Sequence, residues 1–499
     1  MRVKLISIFF CITLIMVMTG CRKGGIEQVE VEGMEIEIGV GTAGEGEVEG
    51  AGEAPSEEEG EKVYESGTLD PTFGSNGVVV SADTGGGVGG DDWGKSITID
   101  ESGKILVTGY SKNNAGDYDM MIWRYNEDGT LDPAFDLDGI VIDNNAAGGN
   151  GNDFGNSIII DTSGRILVAG DSYGGNQKHY DMAVWRYNAN GTPDNSFNGN
   201  GIVTHHNAGL GNGYDGGNSI TIDSNGKILV AGDSGNLAGN LDMVIWRYNT
   251  NGTLDPAFDF DGIVTHNALG IGDGWGYSIT TDANNKILVA GKSWNGSDYD
   301  MVIWRFNQDG TIDTTFNASG PIKGMVVSHN AAGGSGDDAG NSIVIDSNGK
   351  ILVAGDSKNN TNNLDMVIWR YNTDGTIDMT FNASGPIKGI VVSHNAAGGN
   401  KGDRGFSITI DAEGRILVTG TSISAATSAD MVIWRYKEDG TPDTDFGSNG
   451  IVVNAGAAGG TKEDWGNSII TDTKGRILVT GNSKNAAGDS DMVIWRYIP

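Results

Sequence analysis

After Ser66 the chain is a succession of short apolar runs, four to seven residues long, separated by clusters of Gly, Asn and Asp. The run Gly201-Ile202-Val203-Thr204 is followed by Asn218-Ser219-Ile220-Thr221-Ile222-Asp223. A tight Asp-Ser-Asn-Gly turn then leads to Lys227-Ile228-Leu229-Val230-Ala231-Gly232, and a loop leads to Asp242-Met243-Val244-Ile245-Trp246-Arg247-Tyr248. Runs of this length, rich in Ile, Val and Trp and bounded by turn residues, predict strands joined as a meander. No stretch beyond Ser66 has a helical period. The heptapeptide DMVIWRY, in this or a close form, starts at Asp119, Asp181, Asp242, Asp300, Asp365, Asp430 and Asp491, at intervals of 58 to 65 residues. A fixed period of this size means one supersecondary unit repeated, here seven times.

Four strands in a unit of about 60 residues, with nothing else in it, predict a propeller blade. Strands covered by neighbouring blades on both faces should be apolar on both sides, as the continuous ILVAG and MVIW runs are. The phase of the repeat predicts how the ring closes. A lone run, Gly77-Val78-Val79-Val80, precedes the first full unit, and the chain ends just after the last DMVIWRY. With the Ser-Ile-x-x-Asp run innermost, the last blade has three strands from the C-terminal end and takes its fourth from the N-terminal run, which hides a sheet edge. The expected fold is an all-β, seven-bladed β-propeller with four antiparallel strands per blade and three-plus-one closure.

The segments GKILVAG, DMVIWRYN and DGTLDPAF resemble, as a set, the delta-60 repeats of bacterial β-propellers, over residues 67 to 497. That resemblance implies a propeller. It carries no activity and transfers no catalytic residue.

The first 21 residues have a basic start (Arg2, Lys4), an apolar run from Leu5 to Met18, then Met18-Thr19-Gly20-Cys21. This is the form of a secretory signal whose small residues lead into a cysteine. It resembles a lipoprotein lipobox, so residues 1–20 are read as a signal peptide and Cys21 as the lipidated first residue of the mature chain. The apolar run is short for a membrane span, which needs about 20 apolar residues. The protein is therefore expected to be extracytoplasmic and lipid-anchored to the cell membrane or outer membrane. Cys11 lies within the apolar run, so the mature chain holds neither disulfides nor cysteine metal sites. Residues 21–66 carry 14 Glu and many Gly, with Tyr64 the sole aromatic. Such composition cannot offset its chain entropy by burial and reads as a disordered acidic tether. Within it VEVEGMEIEIGV alternates and could pair as a strand. Residues 67–499 form the propeller.

The net charge of −34 is not confined to the tether: after residue 66 there remain 52 Asp and Glu against 27 Lys and Arg. Phosphate backbones are bound through basic side chains, which argues against nucleic acid and anionic lipid surfaces as partners. An envelope glycan or protein fits better, with the membrane touched through a lipid anchor only.

Strand order divides the connections between two faces. Tight turns join the inner strand to the second and the third to the outer; longer, varied loops make the other face, which is the expected binding face. There the loops entering the inner strands end in an acid, commonly an aromatic, and a Gly. The aromatics are Trp93, Phe154, Trp275 and Trp465, with Tyr214 displaced by two. The acids are Asp92, Asp153, Asp215, Asp273, Asp338, Asp403 and Asp464. At the mouth of the central channel, rings beside carboxylates suit a saccharide, which stacks on the ring and hydrogen-bonds to the acid. The same residues admit a structural role, the acids closing turns and the aromatics filling gaps between blades.

Other candidates are weaker. His205, His206, His266, His329 and His394 end outer strands of different blades and should not converge on a metal. Asn-x-Asp-Gly-Thr-x-Asp around Asp128, Asp309, Asp374 and Asp439, and Asp-x-Asp-Gly at Asp136 and Asp259, resemble calcium loops but lack a distal bidentate Glu, leaving calcium as a possibility and no other cofactor. His179 with Lys178, and Trp294, break the repeat. Seven arginines, Arg124, Arg186, Arg247, Arg305, Arg370, Arg435 and Arg496, accompany seven aspartates, Asp70, Asp132, Asp194, Asp255, Asp313, Asp378 and Asp443, and each Arg is expected to be tied by its planar fork to a carboxylate of the same or a neighbouring blade. The inner-strand serines, Ser96 through Ser468, have no recurring His or Lys and read as packing residues rather than nucleophiles. No Cys pair or matching Trp pattern supports a quinone-dependent dehydrogenase. The leading expectation is a binding or interaction module with no catalytic residues. The alternative is an envelope enzyme acting on glycans through carboxylates at the channel mouth.

Overall fold

The structure is a computed structural model that describes residues 28–31, 34–37 and 64–499, apart from 176–178, 268, 271, 400, 426 and 427. It divides into two units, residues 1–63 and Tyr64–Pro499. In the first, Gln28–Val31 pairs antiparallel with Met34–Glu37, so the alternating stretch of the acidic segment does form a hairpin. The signal, Cys21 and the rest of the tether lie outside the described residues, as does Lys178.

The second unit is the expected propeller. Its described elements are all strands, in seven four-stranded antiparallel sheets. Blade 1 runs Asp92–Ile99, Ile105–Lys112, Tyr118–Tyr125, Ile140–Asp143. Blade 7 runs Gly459–Thr471, Ile477–Asn485, Ser490–Tyr497 and then Val78–Ser81 from the opposite end of the chain. The closing ladder pairs Val78 with Trp495 and Val80 with Val493. Around it the two ends rebuild the turn that other blades make with continuous chain. Gly67 N–H donates to Ile498 O at 3.0 Å, Ile498 N–H to Thr68 O at 2.9 Å, and Asp70 N–H to Arg496 O at 2.8 Å.

Each inner strand touches the inner strands of the blades on both sides, in a closed cycle of seven. A hydroxyl ring reinforces the cycle. Ser96 Oγ accepts from Ile158 N–H of the next blade at 3.3 Å, and the pattern recurs through Ser157, Ser219, Ser278, Ser342 and Ser407 to Ser468, which accepts from Ile97. These serines bridge blades, as their sequence context predicts.

The core is seven layers rather than one centre. In the layer between blades 3 and 4, Leu229, Ala231, Met243 and Ile245 pack against Ile287, Val289, Val302 and Trp304. All seven motif tryptophans are fully buried. Each is worth several kcal/mol, since truncating a core Trp costs about 3–5 kcal/mol. Beside each Trp the motif Arg pairs with its Asp at 2.8–3.0 Å. Its guanidinium also lies 4.2–4.6 Å from the centroid of a buried Phe. In six blades Nη1 donates to a carbonyl of the next blade, for instance Arg186 to Thr250 and Arg496 to Glu127. The arginines thus tie strand, turn and neighbouring blade together, and the sequence-level pairing holds in all seven.

Candidate functional site

The loop face is set by a bulge in every inner strand. Pairing with the second strand slips by one residue beside the conserved-pattern Gly, as between Gly94 and Ser96. The bulge pushes the preceding carbonyl onto the second strand: a Cβ on Gly109 would sit 1.7 Å from Trp93 O, and on Gly232 1.7 Å from Gly216 O. Only glycine fits there, which explains the unvarying Gly of the ILVxG runs.

Six of the seven expected acids occupy the position ahead of this bulge, with their carboxyls turned inward. Asp92, Asp153, Asp215, Asp338, Asp403 and Asp464 are 0 % exposed. Their carboxylates turn back into the entering loop. Asp215 accepts from Asn207 N at 2.8 Å, Ala208 N at 3.1 Å and Ser234 Oγ at 2.5 Å, and Asp403 accepts from Asn395 N at 2.8 Å and Ala396 N at 3.1 Å. Asp92, Asp153, Asp338 and Asp464 hold equivalent loop amides. These carboxylates shape the loops, because unsatisfied loop amides in the interior are costlier than a buried acid that caps them. Asp273 is not their sister: Gly274 stands in that place in blade 4, and Asp273 accepts instead from Leu241 N at 2.8 Å.

The expected aromatics behave differently. Trp93, Phe154, Trp275 and Trp465 are half-buried, each directly across the ladder from a variable residue of the second strand: Tyr110, Asp171, Lys292 and Asn482. Tyr214 joins them from two residues away, because its ring lies over the Cα of Gly216, which a Cβ could share only at 2.5 Å from the phenol oxygen. Rings of blades 1 to 3 form a continuous arc. Trp93 stacks on Tyr110 at 6.0 Å, Tyr110 meets Phe154 edge-on at 4.7 Å and Tyr118 at 5.2 Å, Phe154 lies 5.8 Å from Tyr180, and Tyr180 lies 5.6 Å from Tyr173 and 6.0 Å from Tyr214. In blade 4, Trp275 and the irregular Trp294 both meet Tyr299 edge-on, at 5.1 and 5.0 Å. In blades 6 and 7, Phe406 and Trp465 lie parallel at 5.6 Å.

Beneath the rings is a polar layer that sequence reasoning missed. The residue after each ILVxG glycine is Tyr110, Asp171, Asp233, Lys292, Asp356, Thr421 or Asn482, and the residue before each inner-strand Ser is Lys95, Asn156, Asn218, Tyr277, Asn341, Phe406 or Asn467. Variation at one position inside an otherwise uniform strand was the available signal. The asparagines brace this layer. Asn218 Nδ2 donates to Asp233 at 2.9 Å and to Gly276 O of the next blade at 3.1 Å, and Asn156 and Asn341 repeat the pattern with Asp171 and Asp356.

The three carboxyls have unequal surroundings. Burial raises Asp171 to about 6 against the opposing hydrogen bonds of Tyr214 Oη and Gly217 N, both at 2.9 Å. Asp233 receives no such bond from blade 4; it is 2 % exposed and its Oδ2 has no partner among the described residues. Burial, with the charges of Asp171, Asp215 and Asp273, drives it up to about 8. Asp171 and Asp233, 62 residues apart in the chain, are brought near one another by the packing of neighbouring blades. Burial also lowers Lys95 and Lys292.

The remaining candidates stay local. Asp128 Oδ1 accepts from Thr130 N at 3.0 Å and Oγ1 at 2.7 Å, and Asp309, Asp374 and Asp439 close the same turn. Asp136-Leu137 and Asp259-Phe260 are turns with positive φ, in which Leu137 and Phe260 are over nine-tenths exposed. His205 and His266 are half-buried at outer-strand ends, and desolvation lowers His205 to about 4 and also lowers His266. Among the described residues no group of three His, Cys, Asp or Glu is placed to hold a metal. Open grooves lie on the tight-turn face between blades, one of about 490 Å³ lined by Asp346, Arg370, Asp411 and Glu438. They recur between other blade pairs, each backed by a motif Arg, and follow from the repeat.

These titrations predict a pH profile. Asp153, Asp171, Asp338 and Asp491, raised to about 6, and Asp233, raised to about 8, stabilise the fold fully only below their unfolded value of ~3.9, and lose that contribution as pH rises through 6 and 8. His205 acts oppositely: it costs nothing above its unfolded ~6.5 and destabilises as pH falls towards 4. Asp378 is buried, which raises it, but hydrogen bonds from Thr380 and Lys350 and the Arg370 charge outweigh this and hold it near 2; its contribution is lost only below ~3.9. The five carboxyls outnumber the histidines, so the thermal midpoint is expected to be several degrees higher at pH 5 than at pH 8. A midpoint equal or higher at pH 8 in calorimetry contradicts this assignment.

Six stretches, 101–135, 162–197, 224–258, 283–316, 347–381 and 412–446, match the model of a domain of unknown function (DUF5122) described as a beta-propeller. Residues 86–115 match a second model, described as a beta-propeller repeat. No curated protein matches the chain. Similar solved structures include a protein of unknown function from Dyadobacter fermentans DSM 18053, 12% identical with a TM-score of 0.41 and covering 86% of this chain and 99% of its own. The polysaccharide lyase Uly1 is 12% identical with a TM-score of 0.42, covering 81% and 89%. An ulvan lyase of a polysaccharide lyase family, PL25, is 14% identical with a TM-score of 0.42, covering 82% and 93%. Likenesses at this level bear on neither ligand nor activity. The chain is a seven-bladed β-propeller whose repeats are similar to those that the two family models describe.

Proposed function

We propose that the protein is a glycan-binding or interaction module of the cell envelope, extracytoplasmic, anchored by lipid on Cys21 and carried on its acidic tether. The loop face is its binding face. The observation that supports this is the arc of half-buried rings from Trp93 to Tyr214, underlain by asparagines and carboxyls of the polar layer. Sugar rings stack on such faces while their hydroxyls exchange hydrogen bonds with amide and carboxyl groups at the edge.

Calorimetric titration of the full chain with a panel of envelope oligosaccharides tests the reading, with a chelator arm for calcium. Trp93→Ala and Tyr180→Ala are each expected to weaken saccharide binding about tenfold, equivalent to ~1.4 kcal/mol, at unchanged circular dichroism. Absence of saccharide binding, or binding indifferent to both substitutions, removes the proposal and turns the search to protein partners.

One observation favours the alternative of an envelope enzyme acting on glycans. Asp233, with its free Oδ2 and raised pKa beside Asp171, has the properties of a general acid near neutral pH. That role would fall to Asp233 rather than to Asp92 or Asp464. Product release from the same oligosaccharides, abolished in Asp233→Asn, is its signature.

A further inference from the structure

Five of the seven rim places are filled by aromatic rings: Trp93, Phe154, Tyr214 over Gly216, Trp275 and Trp465. The remaining two belong to adjacent blades and hold Ala339 and Arg404. The rim therefore has one opening, at blades 5 and 6.

The opening is marked by cations without carboxylate partners. Lys292 enters it from blade 4, its Nζ 4.6 Å from the centroid of Trp275, 4.7 Å from Tyr299 and 5.7 Å from Tyr277. Lys292 and Arg404 have no hydrogen bond or ion pair among the described residues, although this chain carries two acids for every base. All seven motif arginines, by contrast, are paired with aspartates. Lys292 and Arg404 are close enough to repel one another, and both act on Asp356. Asp356 is nearly buried and accepts from Asn341 at 3.0 Å, and the nearby Asp337 is engaged by Lys358 at 2.8 Å. Asp356, Asp337 and Asp273 all act on Lys292, but none forms an ion pair with it or with Arg404, so the two cations remain free to pair with an incoming anion.

We propose that the opening is an anion subsite that takes the acid group of an acidic saccharide, while the neighbouring sugar rings lie on the aromatic arc. Arg404, exposed and unpaired, presents a planar fork matched to two oxygens of a carboxylate or sulfate ester. Lys292, held by three ring faces, offers its remaining protons to the same group. This rests on the glycan-binding reading and adds the charge of the ligand to it.

The test uses the full chain and three probes: oligogalacturonate, the same oligosaccharide after reduction of its carboxyls, and a sulfated neutral oligosaccharide. Tighter binding of either acidic probe than of the reduced one, by tenfold or more, is expected, and the better of the two identifies the acid group. Arg404→Gln and Lys292→Gln should each remove most of that preference, as should added salt, while binding of the neutral probe is unchanged. Equal binding of neutral and acidic probes, or a preference that survives Arg404→Gln, overturns the anion subsite and leaves the glycan reading standing. Failure of all three probes to bind overturns both.

Discussion

A chain shortened to begin at Ala82 is expected to lose the closed ring. Residues 64–81 supply the fourth strand of blade 7, and their removal leaves the third strand, Ser490–Tyr497, as an open edge. They also remove Phe73, fully buried beneath Arg496, and Val79, which packs with Trp123 and Ile494 in the layer between blades 7 and 1. Burial of each such side chain is worth roughly 1.5–3 kcal/mol. Arg496 would lose Asp70 as well. Closure joins residues more than 400 positions apart, so no local structure compensates, and an unpaired apolar edge favours association. Size-exclusion chromatography should give aggregate instead of monomer, and scanning calorimetry no cooperative transition. Supplying residues 64–81 as a separate peptide should restore both. A shortened chain that unfolds at the midpoint of the full chain would show that blade 7 is complete without this strand.

The second large effect is expected at the same seam. Arg496→Ala leaves Asp70 buried without its charge partner and removes the link from Arg496 to the Glu127 carbonyl of blade 1. Breaking one side of a buried ion pair costs about 3–5 kcal/mol, more than the intact pair contributes over an apolar replacement. Unfolding entropies of ~2.1 cal/mol/K per residue, taken over the propeller, convert this to a fall of about 4 °C in the thermal midpoint. Replacing both partners, Arg496→Met with Asp70→Leu, should recover much of the loss, because no lone charge then remains. If the single substitution leaves the midpoint within a degree, the pair is not holding the seam. If the double variant is worse than the single one, the guanidinium acts chiefly through the carbonyl and the Phe73 ring rather than through Asp70.

Much of the architecture was legible because it is local and repeated. The ILVAG and MVIW runs dictate buried strands, the Asp-x-x-Gly turns dictate the meander, and seven copies average out the ambiguity of any single one. Even closure could be read, from a lone Val78-Val79-Val80 run ahead of the first full unit and a last unit with only three strands. The Arg–Asp pairing was readable for the same reason, since two residue types recurring in step at a constant separation have few other partners.

The loop face was only partly readable. The aromatics at Trp93, Phe154, Trp275 and Trp465 stand where the repeat phase puts them, and Tyr214 reaches the same place only because Gly216 leaves room for its ring. The acids beside them are nearly as regular in sequence, yet beside the bulge they turn into the loops, where backbone amides bond them, at both oxygens in the case of Asp215. Sequence determined that most blades present an acid and a ring at the inner strand. Tertiary structure decided which of the two is available: an amide buried in a loop must be paired, and a fixed carboxylate is the nearest acceptor. It also decided the site's electrostatics, since Asp171 and Asp233, or Lys292 and Arg404, become neighbours only through the ring. Periodicity along a chain specifies what each blade repeats; the fields between blades depend on side chains brought together from different turns of the circle.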